Sequence, residues 1–348
     1  MKLVFKKIVL RFSFPAGTSR GVLKEKPSWI LNVENNPLVV GECSVIPGLN
    51  MDYTDDASYE EKIQWTCSTF NLLYTQLDLD QLLHFFCQEL IDFPSILFGV
   101  ESILYRINLS RGNDVFDSAF ARGESTIPIN GLIWMGTIEE MKSRVRDKMN
   151  EGFSVLKFKI GALDFEEEYR LISQIRAEFG EGLEIRVDAN GAFDSENIDE
   201  ILKRLGDIKI HSIEQPVKTR DWTLMSRICL NSPIPIALDE ELIGVNVLGA
   251  KQQLLEAINP QYIILKPSLH GGIKGTLEWI SLAKKMNIGW WLTSALESAI
   301  GLEVIARLAG TMAPEIPQGL GTGGLFENNF DSPLVILNGT LKYKNVKA

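Results

Sequence analysis

A run of short apolar segments in the second half of this 348-residue chain carries charged or hydroxyl side chains at the segment ends: Lys157 and Lys159, then Asp188, Glu214, Asp239, Lys266 and Ser294. From Lys159 onward they recur every 25 to 29 residues, about the length of one strand–helix unit. Strands of an all-parallel sheet are covered on both faces and should read as unbroken apolar runs. Polar residues that break this rule at a near-constant interval are expected at one rim, where the active sites of β/α barrels form.

Asp188, Glu214 and Asp239 come from three consecutive segments. Any one of them alone reads equally well as a solvated strand end or a helix N-cap. Three converging carboxylates repel one another, and a divalent cation relieves that; hard oxygen donors suit Mg²⁺ first and Mn²⁺ next. In SVLKFKI, Lys157 and Lys159 lie two apart and share a strand face, which leaves Leu156 and Phe158 to face the helices. Lys266, in IILKPS, stands four strands further round and should face Lys159 across the opening. A substrate carboxylate neutralised by the cation would have an acidified α-proton. Lys159 would remove it, and the cation and Lys266 would stabilise the enediolate.

The elements that must hold these residues are legible as a change of period. Residues 2–14 alternate apolar and polar, so MKLVFKKIVLRFSF reads as a strand, having no continuous apolar run for a signal peptide. Two more strands are expected at 29–35 and 38–45, then helices over 58–75, 80–91 and 94–107. After Gly123 eight strand-like runs alternate with helix-length amphipathic segments, from IPINGLIWM to GLGTGG, the grammar of a parallel barrel. PLVILNGTLKYK reads as a closing hairpin around Asn338-Gly339. The expected domains are an α+β capping domain over 1–110 with part of the C-terminal tail, a (β/α) barrel over 111–330, and a return hairpin over 331–348. The fold class is α/β.

Composition narrows the partners. With 35 Lys+Arg against 45 Asp+Glu the net charge is −10, which disfavours nucleic acid. No apolar run reaches membrane-spanning length. Four scattered cysteines without a C-x-x-C pair read as reduced, buried thiols of a cytoplasmic protein.

The stretches LKFKIG (156–161), VDANGAF (187–193), IEQPV (213–217), ALDEEL (237–242), LKPSLHGG (265–272), LTSALESAIGL (292–302) and QGLGT (318–322) together resemble the enolase superfamily, in its muconate-lactonising subgroup, over essentially the whole chain. The resemblance implies a modified (β/α) barrel with an α+β cap. Carried onto this sequence it makes Lys159 and Lys266 catalytic and Asp188, Glu214 and Asp239 ligands of Mg²⁺ or Mn²⁺. The substrate implied is a small dicarboxylate, and assembly as a homo-oligomer is compatible with it. Dipeptide epimerases of the subgroup carry Asp-x-Asp at strand eight to grip an ammonium group. Here that place is glycine-rich, at Gly319, Gly321, Gly323 and Gly324, which disfavours an amino-terminal substrate. With the compact cap and TSALES at strand seven, this implies a carbon–oxygen lyase. Its reaction would be the syn dehydration of a succinyl-bearing hydroxycyclohexadiene carboxylate to an aromatic dicarboxylate. The alternatives are N-succinylamino-acid racemisation and muconate cycloisomerisation, which the same two lysines would serve. A non-catalytic barrel is expected to have lost part of the constellation, yet all five residues are present.

Further expected substrate contacts are Lys157, Asn190, Ser294, Gly319 and Arg20. Asn190 should face inward with Asp188, beside a ligand or against substrate. Ser294 is expected at a helix start, either offering free N–H groups to an anion or forming a capping box with Glu297. GLGTGG lacks the strand–helix–acid context of a dinucleotide site, so its glycines are expected to admit substrate to the backbone. Arg20 falls on a loop that in this family closes over the site; a solvated arginine is the plainer reading. His84 and His270 lack metal-ligand spacing and read as structural.

Overall fold

A computed structural model describes residues 1–18 and 21–344. Arg20 lies outside the described residues. Three long antiparallel strands open the chain: β1 (Leu3–Thr18), β2 (Gly21–Val33) and β3 (Asn36–Ser44). The second strand starts earlier than its alternation suggests, and the β2–β3 turn sits at Asn35 in left-handed backbone. Helices α1 (Asp56–Leu73), α2 (Leu79–Glu89) and α3 (Pro94–Ser110) follow. Asp55 and Asp78 cap the first two, and the apolar faces of all three meet Trp29, Leu31 and Cys43 in one core.

A short strand β4 (Thr126–Pro128) leads into the parallel sheet. Its seven strands are β5 (Gly131–Ile133), β6 (Val155–Lys159), β7 (Glu184–Asp188), β8 (Ser212–Glu214), β9 (Ile236–Leu238), β10 (Tyr262–Leu265) and β11 (Gly289–Leu292), paired in that order. Between and after them run α4 (Ile138–Asn150), α5 (Phe165–Phe179), α6 (Ile198–Asp207), α7 (Trp222–Asn231), α8 (Leu248–Ile258), α9 (Gly272–Lys285) and α10 (Ala299–Thr311). The helices start where the sequence supplies caps, as in the Thr137/Glu140 capping box of α4 and at Asp164 before α5.

The eighth barrel strand is reduced to two residues. Gln318 bridges to Ile129 and Gly319 to Thr293, both parallel, which joins the two edges of the sheet. No eighth helix follows. The chain instead crosses to the cap, where Phe326 pairs with Phe12 and Glu327 N bonds Arg11 O at 2.9 Å. It then returns as a hairpin, β12 (Leu334–Leu337) and β13 (Thr340–Tyr343), whose second strand pairs with β4. All four cysteines are free and buried. No helix among the described residues is long and apolar enough to cross a membrane.

Cap and barrel are joined by carboxylates of the cap set into helix N-termini of the barrel, where backbone N–H groups lack partners. Glu42 on β3 accepts from Ser298 N at 2.9 Å and Gly301 N at 3.1 Å, at the start of α10. Glu101 on α3 accepts from Ile273 N and from Lys274 N at 2.9 Å, at the start of α9. The glycines of LKPSLHGG serve this second contact. Gly272 has φ 71°, and a Cβ there would lie 2.2 Å from Glu101 Oε2. Burial pushes the Glu101 carboxyl up to about 8, against the pull of the Lys274 and Ile273 amides and the Lys274 charge.

Two expectations follow for unfolding experiments. Gly272→Ala should cost about 2–4 kcal/mol, from left-handed backbone and overpacking against Glu101; a loss under about 0.5 kcal/mol would contradict that close approach. The folded pKa of Glu101 lies above its unfolded value, so its proton stabilises the fold. That contribution is complete below pH 4.5 and is lost as pH rises through about 8. The wild-type melting temperature should therefore fall more steeply than that of Glu101→Gln between about pH 5 and about pH 9. Parallel profiles would contradict the assignment.

Candidate active site

Strand register places the polar residues. Lys159 is opposite Asp188, and Asp188 is opposite Glu214. Glu214 is opposite Ala237, so Asp239 stands two residues further along, on the same face. Lys266 follows directly on β10. The residues thus climb from β8 to β10 instead of lying at one height, as the stagger of a closed barrel requires.

The arrangement is a sealed array of alternating charge. Lys157 Nζ bonds Glu214 Oε2 and lies 2.9 Å from Asp188 Oδ2. Lys159 Nζ donates to Asp188 Oδ2 at 2.5 Å and to Asn190 Oδ1 at 2.9 Å. Lys266 Nζ pairs with Asp239 Oδ2. The three carboxylates are almost fully buried. Burial pushes the Asp188 carboxyl up, but Lys157 and Lys159 outweigh it and hold it below the carboxylate range. Asp239 is likewise raised by burial and lowered further by Lys266, to about 2. Glu214 goes the other way: burial and the neighbouring Asp188 raise it well above the ordinary value despite Lys157.

Two buried oxygens here, Glu214 Oε1 and Asp239 Oδ1, receive no hydrogen bond. Among the described residues no three His, Cys, Asp or Glu side chains are grouped to hold a metal ion as they stand, since ammonium groups hold the inward oxygens. The donor set itself, three carboxylates on adjacent strands with two orphaned oxygens, fits a hard divalent cation that displaces the Lys159 and Lys266 ammonium groups.

A cavity of about 330 Å³ opens beside the array. Lys157, Lys159, Lys266, Asn190, Ser294 and Gly319 all line it, while Asp188, Glu214 and Asp239 do not and lie paired with those lysines. Asn190, in left-handed backbone at φ 45°, holds Lys159 through Oδ1 and donates through Nδ2 to Glu240 Oε1 at 2.8 Å. Gly319 packs so closely that a Cβ would sit 2.4 Å from Thr293 Oγ1. His270 is a buried structural residue: Nδ1 accepts from Lys266 N at 3.0 Å, and burial pushes the ring down to about 3.

Ser294 departs from expectation. It begins no helix and makes no capping box with Glu297. Helix α10 starts at Ala299 with Ser298 as N-cap, and its free N–H groups are taken by Glu42. Glu297 bonds Ser268 Oγ instead. Ser294 Oγ meets Thr322 Oγ1 at 2.6 Å on the cavity wall. No anion-binding helix end is therefore available there.

The sequence reading missed the apolar walls. Leu23 and Ile46–Leu49 come from the cap, and Trp134, Trp291 and Leu296 from the barrel. Arg186 was also within reach, two before Asp188 and so on the same strand face. Its guanidinium lies 4.4 Å from the Trp291 ring, beneath a residue of the cavity wall. The cap residues had no signal of this kind, because their role comes from packing against barrel residues more than 100 positions away.

Residues 140–345 match the model of a family described as enolase C-terminal domain-like. The chain is 42% identical to an o-succinylbenzoate synthase from Desulfotalea psychrophila, covering 98% of each. Among solved structures it is similar to MenC from the same organism, with 38% identity, 98% and 99% of the two chains covered and a TM-score of 0.82. It also shares the fold of muconate lactonizing enzyme from Pseudomonas putida, at 20% identity and TM-score 0.76, with 98% and 93% covered.

The charge array makes a stability prediction. Lys157→Met leaves Asp188 and Glu214 facing each other without their shared ammonium and should cost about 3–5 kcal/mol in denaturant unfolding in metal-free buffer. A loss below about 1 kcal/mol would show that Lys157 does not neutralise the pair.

Proposed function

From the premise that the chain belongs to the enolase C-terminal domain-like family, we propose that it converts 2-succinyl-6-hydroxy-2,4-cyclohexadiene-1-carboxylate to o-succinylbenzoate by syn dehydration, a step of menaquinone biosynthesis. The chain is an enzyme, a carbon–oxygen lyase. The observation that carries this reading is the end-to-end 42% identity, cap included, to an o-succinylbenzoate synthase. The subgroup's constellation alone would serve a racemase equally well.

Asp188, Glu214 and Asp239 would hold Mg²⁺, with Mn²⁺ as second choice; the two orphaned oxygens of Glu214 and Asp239 support this. When bound, the ion supplies positive charge at the ring carboxylate and so acidifies the adjacent C–H. Lys159 and Lys266 pair with two of these carboxylates, Asp188 and Asp239, and both line the cavity, toward which they would turn when those oxygens are engaged elsewhere.

Lys159, held by Asn190, acts as general base on the α-proton in its neutral amine form, its ammonium proton having first gone to solvent. Lys266, supplied from β10 across the opening, stabilises the negative charge that develops on the carboxylate oxygens without transferring a proton. The proton taken by Lys159 then goes to the departing hydroxyl on the same face, which makes the elimination syn, and aromatisation drives it forward. Lys157 stays between Asp188 and Glu214, where it fixes the carboxylates. The glycine backbone at Gly319 and the apolar residues of the wall leave room for the ring and offer no carboxylate to an ammonium substrate.

An absorbance assay with the cyclohexadiene substrate should show turnover with Mg²⁺ and none after chelation. Lys159→Ala should lower kcat by about 10²–10⁴-fold or more. Mg²⁺ should also raise the melting temperature of the wild type, and less so that of Asp239→Asn. Absent dehydration together with fast racemisation of an N-succinylamino acid would replace this reading with a racemase.

A further inference from the structure

The cavity wall between β11 and α10 is held by the cap as well as by the barrel, which bonds Thr293 to Leu265 O and Gly319 O and Ser294 to Thr322. Residues 293–298 supply Thr293, Ser294, Ala295 and Leu296 to that wall. Leu296 is in left-handed backbone at φ 57°, a conformation strained for a non-glycine residue. Such strain persists only where the surroundings impose it.

The surroundings here are three polar side chains of the cap. Lys26 on β2 is 1% exposed and donates from Nζ to Leu296 O at 2.9 Å and to Ser44 Oγ at 2.5 Å. Ser44 Oγ in turn reaches Ala295 O at 3.4 Å. Glu42 fixes the far end of the segment through Ser298 N and Oγ, at 2.9 and 2.6 Å. On the barrel side Glu297 bonds Ser268, just past Lys266. A fully buried ammonium is costly and would be replaced by an apolar side chain if packing were its only task. Burial pulls the Lys26 amine down, while Glu42 and Glu297 pull it up.

We propose that Lys26 is a positioning residue for the substrate pocket: its ammonium clamps the Leu296 carbonyl in left-handed backbone and so sets the wall against which the substrate's ring and succinyl arm pack. This rests on the reading of the substrate given above. Lys26 touches no reacting atom and lines no part of the cavity, and it acts through the barrel segment it holds. Cap docking and pocket shape are thereby one event, because the residues that join the cap to α10 are continuous with those that shape the wall.

The test measures binding of the product, o-succinylbenzoate, and of Mg²⁺ by calorimetry in the full-length wild type, Lys26→Met and Lys26→Gln. Methionine keeps the stem and loses the donor, whereas glutamine keeps an uncharged donor one bond short of the ammonium's position, which restores the contact only in part. Lys26→Met should weaken o-succinylbenzoate about tenfold or more and leave the Mg²⁺ Kd within about twofold, and Lys26→Gln should recover part of the loss. If Lys26→Met does not fold, Lys26→Gln carries the test: a product Kd weakened about threefold or more with the Mg²⁺ Kd within about twofold is expected, and a wild-type product Kd would overturn the clamp. A folded Lys26→Met with wild-type product affinity would overturn the clamp, as would equal losses for product and Mg²⁺, or a Lys26→Gln as weak as Lys26→Met. A wild type that binds Mg²⁺ but no o-succinylbenzoate would overturn the substrate reading, and the clamp's stated purpose with it.

Discussion

Three carboxylates buried at the ends of β7, β8 and just beyond β9 must be neutralised, and the site is organised by how that is done. Asp188, Glu214 and Asp239 are essentially without solvent, where an isolated charge is costly. Lys157, Lys159 and Lys266 supply the balance from β6 and β10. Because the strands are parallel and their residues alternate, these six groups can share one interior face while Leu156, Phe158 and Val187 fill the layer beneath the helices. The same groups answer both to stability and to chemistry. A divalent cation held by the carboxylates would leave Lys159 and Lys266 to the cavity, where Lys159, once it has given its proton to solvent, would serve as base and Lys266 as anion stabiliser.

The cap depends on a second use of buried carboxyl groups. Glu42 and Glu101 enter the N-termini of α10 and α9, where unpaired N–H groups would otherwise be sealed from water. These helices follow the loops after β11 and β10, so the cap docks onto the segments that carry the cavity wall and Lys266. Within the cap, Asp52 repeats the device on α3 by accepting from Ser95 N at 2.9 Å, and Asn50 holds Ile46 N at 2.8 Å. The Ile46–Leu49 segment is thereby held at the cavity mouth.

What the sequence made legible follows from locality. The metal-type carboxylates and the lysines stood out because each strand must be apolar, and each departs from that at the length of one βα unit. The cap helices and the Asn338-Gly339 hairpin were readable from periodicity and turn chemistry. Ser294 was misread because TSALES contains a Ser and a Glu at capping-box spacing, and nothing nearby reveals that Glu42, more than 250 residues earlier, occupies the end of α10. The shrinkage of the eighth strand to Gln318 and Gly319 was hidden in the same way, since a glycine-rich turn and a two-residue bridge look alike in one dimension. The walls from the cap, Leu23 and Ile46–Leu49, have no local pattern at all, being ordinary apolar residues whose role exists only after docking.

The central claim is that one set of carboxylates, balanced here by lysines, becomes a cation site flanked by two released ammonium groups. A crystal structure of the protein with Mg²⁺ and o-succinylbenzoate tests it most directly. The account predicts one ion contacting Asp188, Glu214 and Asp239, with Lys159 and Lys266 turned from Asp188 and Asp239 toward opposite sides of the bound ring. An ion bound elsewhere, or lysines still paired to those carboxylates beside a bound ring, would contradict it.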